Sequence, residues 1–251
     1  MTDGAQSPPA PRIAVLPLGA TEHHGPHLSP DVDWVIAEGV CARARALLPA
    51  GLAVEWLPVE KLGYSIEHAD FAATRTLAFD AAVNRWIGIA ADCRRRGIRR
   101  FVMLNAHGGN APLMTVVATE LRVRLNMLAV ATSWTRFLPD GLVDADEKAF
   151  GIHGGQIETS AMLALRPDLV RMAAAAAFPS LQADLARRFR HLRAYGPHAF
   201  GWKMSDLNRD NAAGHAAAAS AGLGETLLGH AARGFAELLA EVDRFDPAFL
   251  D

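Results

Sequence analysis

Two cysteines, Cys41 and Cys93, are all that this 251-residue chain contains. Both fall in apparent helices among apolar neighbours, which points to buried thiols and away from a disulfide framework or a thiolate metal site. No apolar stretch reaches the roughly 20 residues that span a bilayer. The first twelve residues are rich in Ala and Pro and carry no apolar segment of signal-peptide type. Long Lys/Arg runs are also missing, and the formal net charge is only −2. The densest basic stretch, Arg94-Arg95-Arg96 with Arg99-Arg100, flanks Gly97 where a helix is expected to end. Cations there favour the helix dipole, so the stretch reads as structural and not as a nucleic-acid patch. No internal repeat stands out. Together these absences predict a soluble protein of a reducing cytoplasm, with neither nucleic acid nor membrane as partner.

The composition is 51% hydrophobic and 21% charged, enough for a sizeable core. No shift in composition marks a boundary. One domain over residues 1–251 is therefore expected, with 1–11 as a flexible tail. Strand-like runs lie at Ile13–Leu18, Leu52–Val59, Phe101–Asn105 and Leu128–Trp134. Helical patterns lie between them: about Pro30 to Leu48 with Ser29 as N-cap, Phe79 to Arg96 stopped by Gly97, and Asn110 to about Asn126. A further helix starts near Gln156 and stops before Pro167. The segment 135–154 reads as loop, and the Ala-rich stretches 173–177 and 216–219 read as helix filler. A long helix from about Asn211 to Val242 closes the chain. Strands alternating with helices of this length predict a mostly parallel sheet covered on both faces.

Ligands of open parallel sheets bind beyond the carboxyl ends of the strands. Two polar clusters fall there. After the first strand, Thr21-Glu22-His23-His24-Gly25-Pro26-His27 leads to Asp31 and Asp33. After the third strand comes Asn105-Ala106-His107-Gly108-Gly109-Asn110. Dense His and carboxylate groups beside buried strands are costly alone, and a divalent cation is the usual partner that offsets the cost. Glu22 and His24 are two apart, so an extended backbone points both to one side. Asp33, in a first helical turn, is either a plain N-terminal acid or a carboxylate folded back to bridge two cations. His107 is either a hydrogen-bonded turn residue or a ligand. A phosphate cradle at its glycines is disfavoured, because no Lys-Ser/Thr follows. A third cluster, His153-Gly154-Gly155-Gln156-Ile157-Glu158, opens the later helix. A buried Glu158 needs a metal, a proton or an arginine, and His153 on its turn suits proton transfer. Gly63-Tyr64-Ser65-Ile66-Glu67-His68 follows the second strand and reads as pocket wall. Trp134 and Trp202 either shape a pocket or belong to the core. His191, His198, His215 and His230 carry no recognisable spacing.

These four segments, in this order over residues 13–166, resemble the creatininase family of metal-dependent amidohydrolases. The resemblance implies a three-layer α/β/α sandwich with a mostly parallel central sheet, and commonly a hexamer. It implies two divalent ions per chain, zinc or manganese with iron as a further option, on Glu22, His24, Asp33, His107 and Glu158, with Asp33 bridging. His153 falls where the family has its proton-transferring histidine, and Glu158 joins it as a catalytic candidate. Ser65, His68, Asn110 and Trp202 are the expected substrate contacts. One departure matters: creatinine-hydrolysing members follow the histidine with Tyr-Glu, where this chain has Gly108-Gly109. Glu158 is expected to replace that missing ligand, and creatinine becomes a doubtful substrate.

The expected activity is hydrolysis of a C–N bond in a small polar amide, cyclic or formamide, other than a typical peptide bond. The ions would lower the pKa of a water bridging them, and the resulting hydroxide would attack the carbonyl. The alternatives are a keto-inositol or sugar hydrolase or isomerase, a peptidase of the same family, and a non-catalytic binder.

Overall fold

A computed structural model describes residues 12–246; the tail expected at 1–11 lies outside them. The sheet is built from β1 (Ile13–Leu18), β2 (Val54–Trp56), β3 (Arg100–Asn105) and β4 (Leu128–Ser133). The strands are all parallel, in the order β2-β1-β3-β4. Every residue of β1 is buried, as a parallel strand covered on both faces requires. Side chains alternate between two cores. Ile13 and Val15 join Val102 and Leu104 against α1 (Val32–Arg45), α5 (Gln156–Leu165) and α8 (Ala221–Arg244). Ala14, Leu16 and Leu18 join Phe101 and Met103 against α2 (Phe79–Arg95) and α3 (Ala111–Leu125). The layers are therefore α/β/α.

The polar sheet ends are set by register. Leu18 pairs with Asn105, and Asn105 with Ser133, so β1, β3 and β4 finish level. Gly19 then turns the chain under α1. A Cβ at Gly19 would run into the backbone of Trp34, so only glycine lets the first turn of α1, and with it Asp33, come down on the end of β1.

Several expectations need correction. α1 starts at Val32 with no side-chain cap. Ser29 Oγ instead accepts from Asp31 N and donates to Asp31 Oδ2, closing a turn in front of the helix. The second strand shortens to three residues. The segment expected as loop at 135–154 holds α4 (Ala145–Phe150). The Ala-rich stretches are not helix filler: residues 172–174 and 216–218 form single 3₁₀ turns. Beside them, β5 (Ala177–Phe178) and β6 (Gly214–His215) form an antiparallel ribbon. The closing helix begins at Ala221, not Asn211. Asn211 is a left-handed residue at φ 55°, fully buried, and cannot open a helix. The intervening chain adds α6 (Leu181–Arg188) and α7 (Met204–Leu207).

Both cysteines are free and buried, and Trp134 is a core residue. The basic stretch closes α2: Arg94 Nε donates to Leu125 O at 3.0 Å, and Arg96 pairs with Glu55 at 2.7 Å. Among the described residues, no helix is long and apolar enough to cross a membrane.

Candidate metal centre

At the sheet ends two groups of donors interlock. Glu22, Asp33 and His107 form one; His24, Asp33 and Glu158 form the other, the ligand atoms of each lying within 4.8 Å of one another. Asp33 belongs to both. Its Oδ1 lies 3.2 Å from His24 Nε2 and its Oδ2 lies 3.4 Å from His107 Nδ1. A third set, Glu22, His24 and His153, overlaps the first two.

The tautomers of the two cage histidines are fixed from behind. His24 Nδ1 sits 3.0 Å from the carbonyl of Glu22 and donates to it. His107 Nε2 donates to the carbonyl of Tyr64 at 2.8 Å, with Ser65 Oγ at 3.2 Å. A carbonyl only accepts, so the protons stay there and His24 Nε2 and His107 Nδ1 face the centre bare. Each then meets a carboxylate oxygen as acceptor against acceptor: His24 on Asp33, and His107 on Glu22 Oε1 at 3.1 Å. Both Glu22 oxygens, His24 Nε2 and Asp33 Oδ2 are buried without a hydrogen-bond partner. Native interiors rarely leave such groups unpaired. Either extra protons or cations must reconcile them.

Charge follows the same logic. Burial opposes a charged His24, but Asp33, Glu158 and Glu22 outweigh it and carry the ring to about 10. Burial likewise opposes charge on His107, and Glu22 and Asp33 lift it well above the usual histidine range. Burial pushes Glu22 up, yet His107, His68 and His153 hold its carboxyl well below the usual range. Burial and neighbouring carboxylates raise Glu158 to about 7, despite His24 and an N–H from Gly154 at 2.6 Å. A divalent cation in each group would satisfy the same oxygens and nitrogens without borrowed protons. The oxygen and imidazole donors suit zinc or manganese.

His153 stands over the cages. It stacks on His24 at 4.1 Å and meets the tilted ring of His68 at 4.2 Å. Its Nε2 donates to the carbonyl of His23 at 2.8 Å, leaving Nδ1 bare, 3.6 Å from Glu22 Oε1. Burial and the neighbouring His24 and His68 hold the ring well below its usual pKa, so it is neutral at neutral pH.

The groups open into a cavity of about 590 Å³ whose walls include Tyr64, Ile66, His68, Phe200, Trp202 and Met204. Of the expected substrate contacts, His68 and Trp202 line it. Ser65 and Asn110 do not, and that expectation is corrected. Both are fully buried and occupied by the protein itself. Ser65 backs His107. Asn110 accepts from Tyr64 N at 3.0 Å and donates to Gly19 O and Asn105 Oδ1, tying the ends of β1 and β3 to the 63–68 segment. His23 and His27 turn away from the cages: His23 stacks on Phe71, and His27 binds Thr159 Oγ1 at 2.9 Å and stacks on Phe178.

The family's sequence model for creatininase, described as creatinine amidohydrolase, matches residues 2–239. The chain belongs to the creatininase family. Within it, a mycofactocin precursor peptide peptidase of Mycobacterium tuberculosis (strain CDC 1551 / Oshkosh) is 35% identical over 175 residues, 66% of this chain and 64% of the relative. A creatinine amidohydrolase of Pseudomonas putida is 31% identical over 175 residues, 63% of this chain and 66% of the relative. The match thus spans less than two thirds of these curated relatives' own length. Among solved structures, a mutant creatininase of Zn-Zn type superimposes with TM-score 0.72 at 26% identity, over 91% of this chain and 90% of that one. A creatininase Mn structure shares the fold at TM-score 0.73 and 24% identity, over 91% and 90%.

The creatininase fold here leaves no room for a side chain at position 109. A Cβ on Gly109 would strike Glu67 Oε1, the carbonyl of Tyr64 and His107 Nε2. Carboxylates at the cages come instead from Glu22, Asp33 and Glu158. Two residues that matter were not singled out from the sequence, and a third, Glu67, lay in the segment read only as pocket wall. Asn211 links His68 Nδ1, at 3.1 Å, to His23. Glu147, buried in α4, accepts from Gln156 N at 2.6 Å and His215 N at 2.7 Å, capping α5 from outside. Glu67 lies on the cavity wall 3.6 Å from His107 Nε2. The positive φ of Asn211 leaves no trace in sequence, and an Asp or Glu in a short polar segment reads as surface.

Proposed function

We propose that the chain is a metal-dependent hydrolase that cleaves an amide C–N bond, with one divalent cation in each of the two donor groups. The observation that carries this reading is the sharing of Asp33 between two donor groups that open into a cavity and in which Glu22, His24 Nε2 and Asp33 Oδ2 are buried without hydrogen-bond partners. Glu22, Asp33 and His107 would hold one ion; His24, Asp33 and Glu158 would hold the other. Zinc or manganese bound there would polarise a carbonyl and lower the pKa of water at the site. At about 590 Å³ the cavity lies within the roughly 300–1,000 Å³ usual for small-molecule pockets.

The chain's own residues then position and move protons. Tyr64 O and Ser65 Oγ hold His107, and the carbonyl of Glu22 holds His24, so neither ring can turn away. His153, neutral and fixed by the His23 carbonyl, offers Nδ1 as proton acceptor beside Glu22. In hydrolysis the water oxygen bonds to the carbonyl carbon, the C–N bond breaks, and the nitrogen leaves with a proton. His153 Nδ1 takes that proton from the water and passes it to the nitrogen. His68, 3.6 Å from Glu22 Oε1 and anchored by Asn211, confines the same carboxylate from the other side.

The test is metal content by elemental mass spectrometry, together with amine release from an amide panel, in Glu22→Gln and His107→Ala. Both variants are expected to lose metal and turnover. Full retention of both in either variant defeats the reading.

A further inference from the structure

A second cavity, of about 490 Å³, lies beside the first. The two have Ile152 and Glu158 as common walls. Its remaining lining is mostly apolar and includes the turn with Leu138, Leu142 and Val143, the start of α5 with Ile157, and Leu227 of α8, with Lys148 and Gly151 from the α4 side. Leu138, Leu142 and Ile157 pack on one side against the main core, and with Val143 they stay half-buried where they line the cavity. Charge is confined to Glu158 at the common wall and to the ion pair of Lys148 with Asp140 at the exposed rim.

Resting on the hydrolase reading above, we infer that this second cavity is a substrate subsite. It takes an apolar side chain of an extended, peptide-like amide whose scissile bond lies against the cages. A compact amide fills one cavity and leaves the other wet. A peptide crossing Glu158 reaches both, with the residues on either side of the cleaved bond falling into separate apolar chambers. The common walls carry the argument, because Glu158 belongs at once to a donor group and to the second cavity. Binding energy gathered away from the reacting bond is what makes longer substrates turn over faster. Full burial of one Leu- or Phe-sized side chain corresponds to about 10- to 100-fold.

The experiment uses the zinc-loaded full chain and acetylated, amidated tetra-alanine peptides in which Phe is scanned through each position. One position of Phe is expected to raise kcat/KM about 10- to 100-fold over the all-Ala peptide. Leu142→Trp, which fills the second cavity, is expected to erase that gain, read as the ratio of the Phe-peptide rate to the all-Ala rate. Where Leu142→Trp does not fold, Asp140→Trp at the exposed rim is read by the same ratio. A gain that survives the filled cavity, or no gain from Phe in the wild type, overturns the inference. Methyl NMR of the metal-free protein with the best Phe peptide supplies a readout independent of turnover. Saturable shifts of the Leu142 and Val143 methyls are expected; their absence overturns the subsite. If no peptide or amide is cleaved at all, the hydrolase reading fails, and these shifts alone decide whether the cavity binds.

Discussion

The cavity has two sides built in different ways. Its floor carries Glu22, Asp33, His107 and Glu158, with His24 buried beside them, all placed by the ends of β1 and β3 and the first turns of α1 and α5. Those elements share the main core, and His24, His107 and Glu158 are each held by a backbone group. Its outer wall runs from Tyr195 to Met204 between α6 and α7 and rests on a small satellite cluster of Leu185, Ala194, Met204, Leu207 and Ala213. There the side chains facing the cavity are aromatic and apolar. The difference separates two tasks. Under the proposed hydrolase reading, the floor would fix the chemistry and tolerate little change, and the wall would select which molecule is admitted and be freer to vary.

The largest expected effect tests whether the floor is one shared unit. Asp33→Asn removes a donor from both groups, whereas Glu158→Gln removes one from a single group. Asp33→Asn should lose both cations and reduce amide hydrolysis by at least about 100-fold, the upper end of what is lost when a group that only orients a ligand is removed. Glu158→Gln should keep one cation. Equal metal stoichiometry in the two variants, measured by elemental mass spectrometry, would show that Asp33 is not shared.

A middle-sized effect follows from protons taking the place of cations in the stripped protein. Glu158 is raised to about 7 and His24 to about 10, and His107 is raised as well. Each binds its proton more tightly folded than unfolded. Their contribution is therefore complete below the unfolded pKa values, about 4.5 for Glu and 6.5 for His, and is lost as pH rises through the folded ones. In chelator, the thermal midpoint should fall steadily from pH 7 to 9. Added zinc should remove that fall, since metal needs the deprotonated ligands. A stripped protein whose midpoint rises over this range would contradict the crowded-donor picture.

The same division explains what was legible in the sequence. The alternation in Ile13–Leu18 and Arg100–Asn105, and the helical spacing of α1, α2, α3 and α5, carry periodic signals strong enough to place the sheet ends. Glu22, His24 and His107 follow because they sit directly at those ends, whereas Asp33 and Glu158, in the first turns of α1 and α5, entered the ligand set through the family resemblance. Residues 167–220 gave little. Their Ala-rich stretches favour helix locally, but the buried Asn211 at φ 55° and Gly214 at φ 138° fold them into turns and a ribbon against the cages. Tertiary contacts override propensity there. Ser65 and Asn110 were placed near the site correctly and given the wrong task, because sequence order says which edge a side chain reaches and not which groups it meets first.

The smallest effect probes the wall. Trp202 lines the cavity, and its Nε1 donates to the carbonyl of Ala194 at 2.6 Å, holding the 194–202 loop closed on itself. Trp202→Phe keeps an aromatic ring in the cavity while deleting that donor and the rest of the indole's five-membered ring. The buried carbonyl left behind should lower stability by about 0.5–1.5 kcal/mol, read as a shift in urea midpoint at constant slope. Metal content should not change, because no cage residue touches Trp202. KM should rise a few-fold at nearly constant kcat, since the loop shapes binding and not the reacting bond. A fall in kcat at unchanged KM would instead place Trp202 among the groups that act on the transition state, and the floor and wall could no longer be treated as separate.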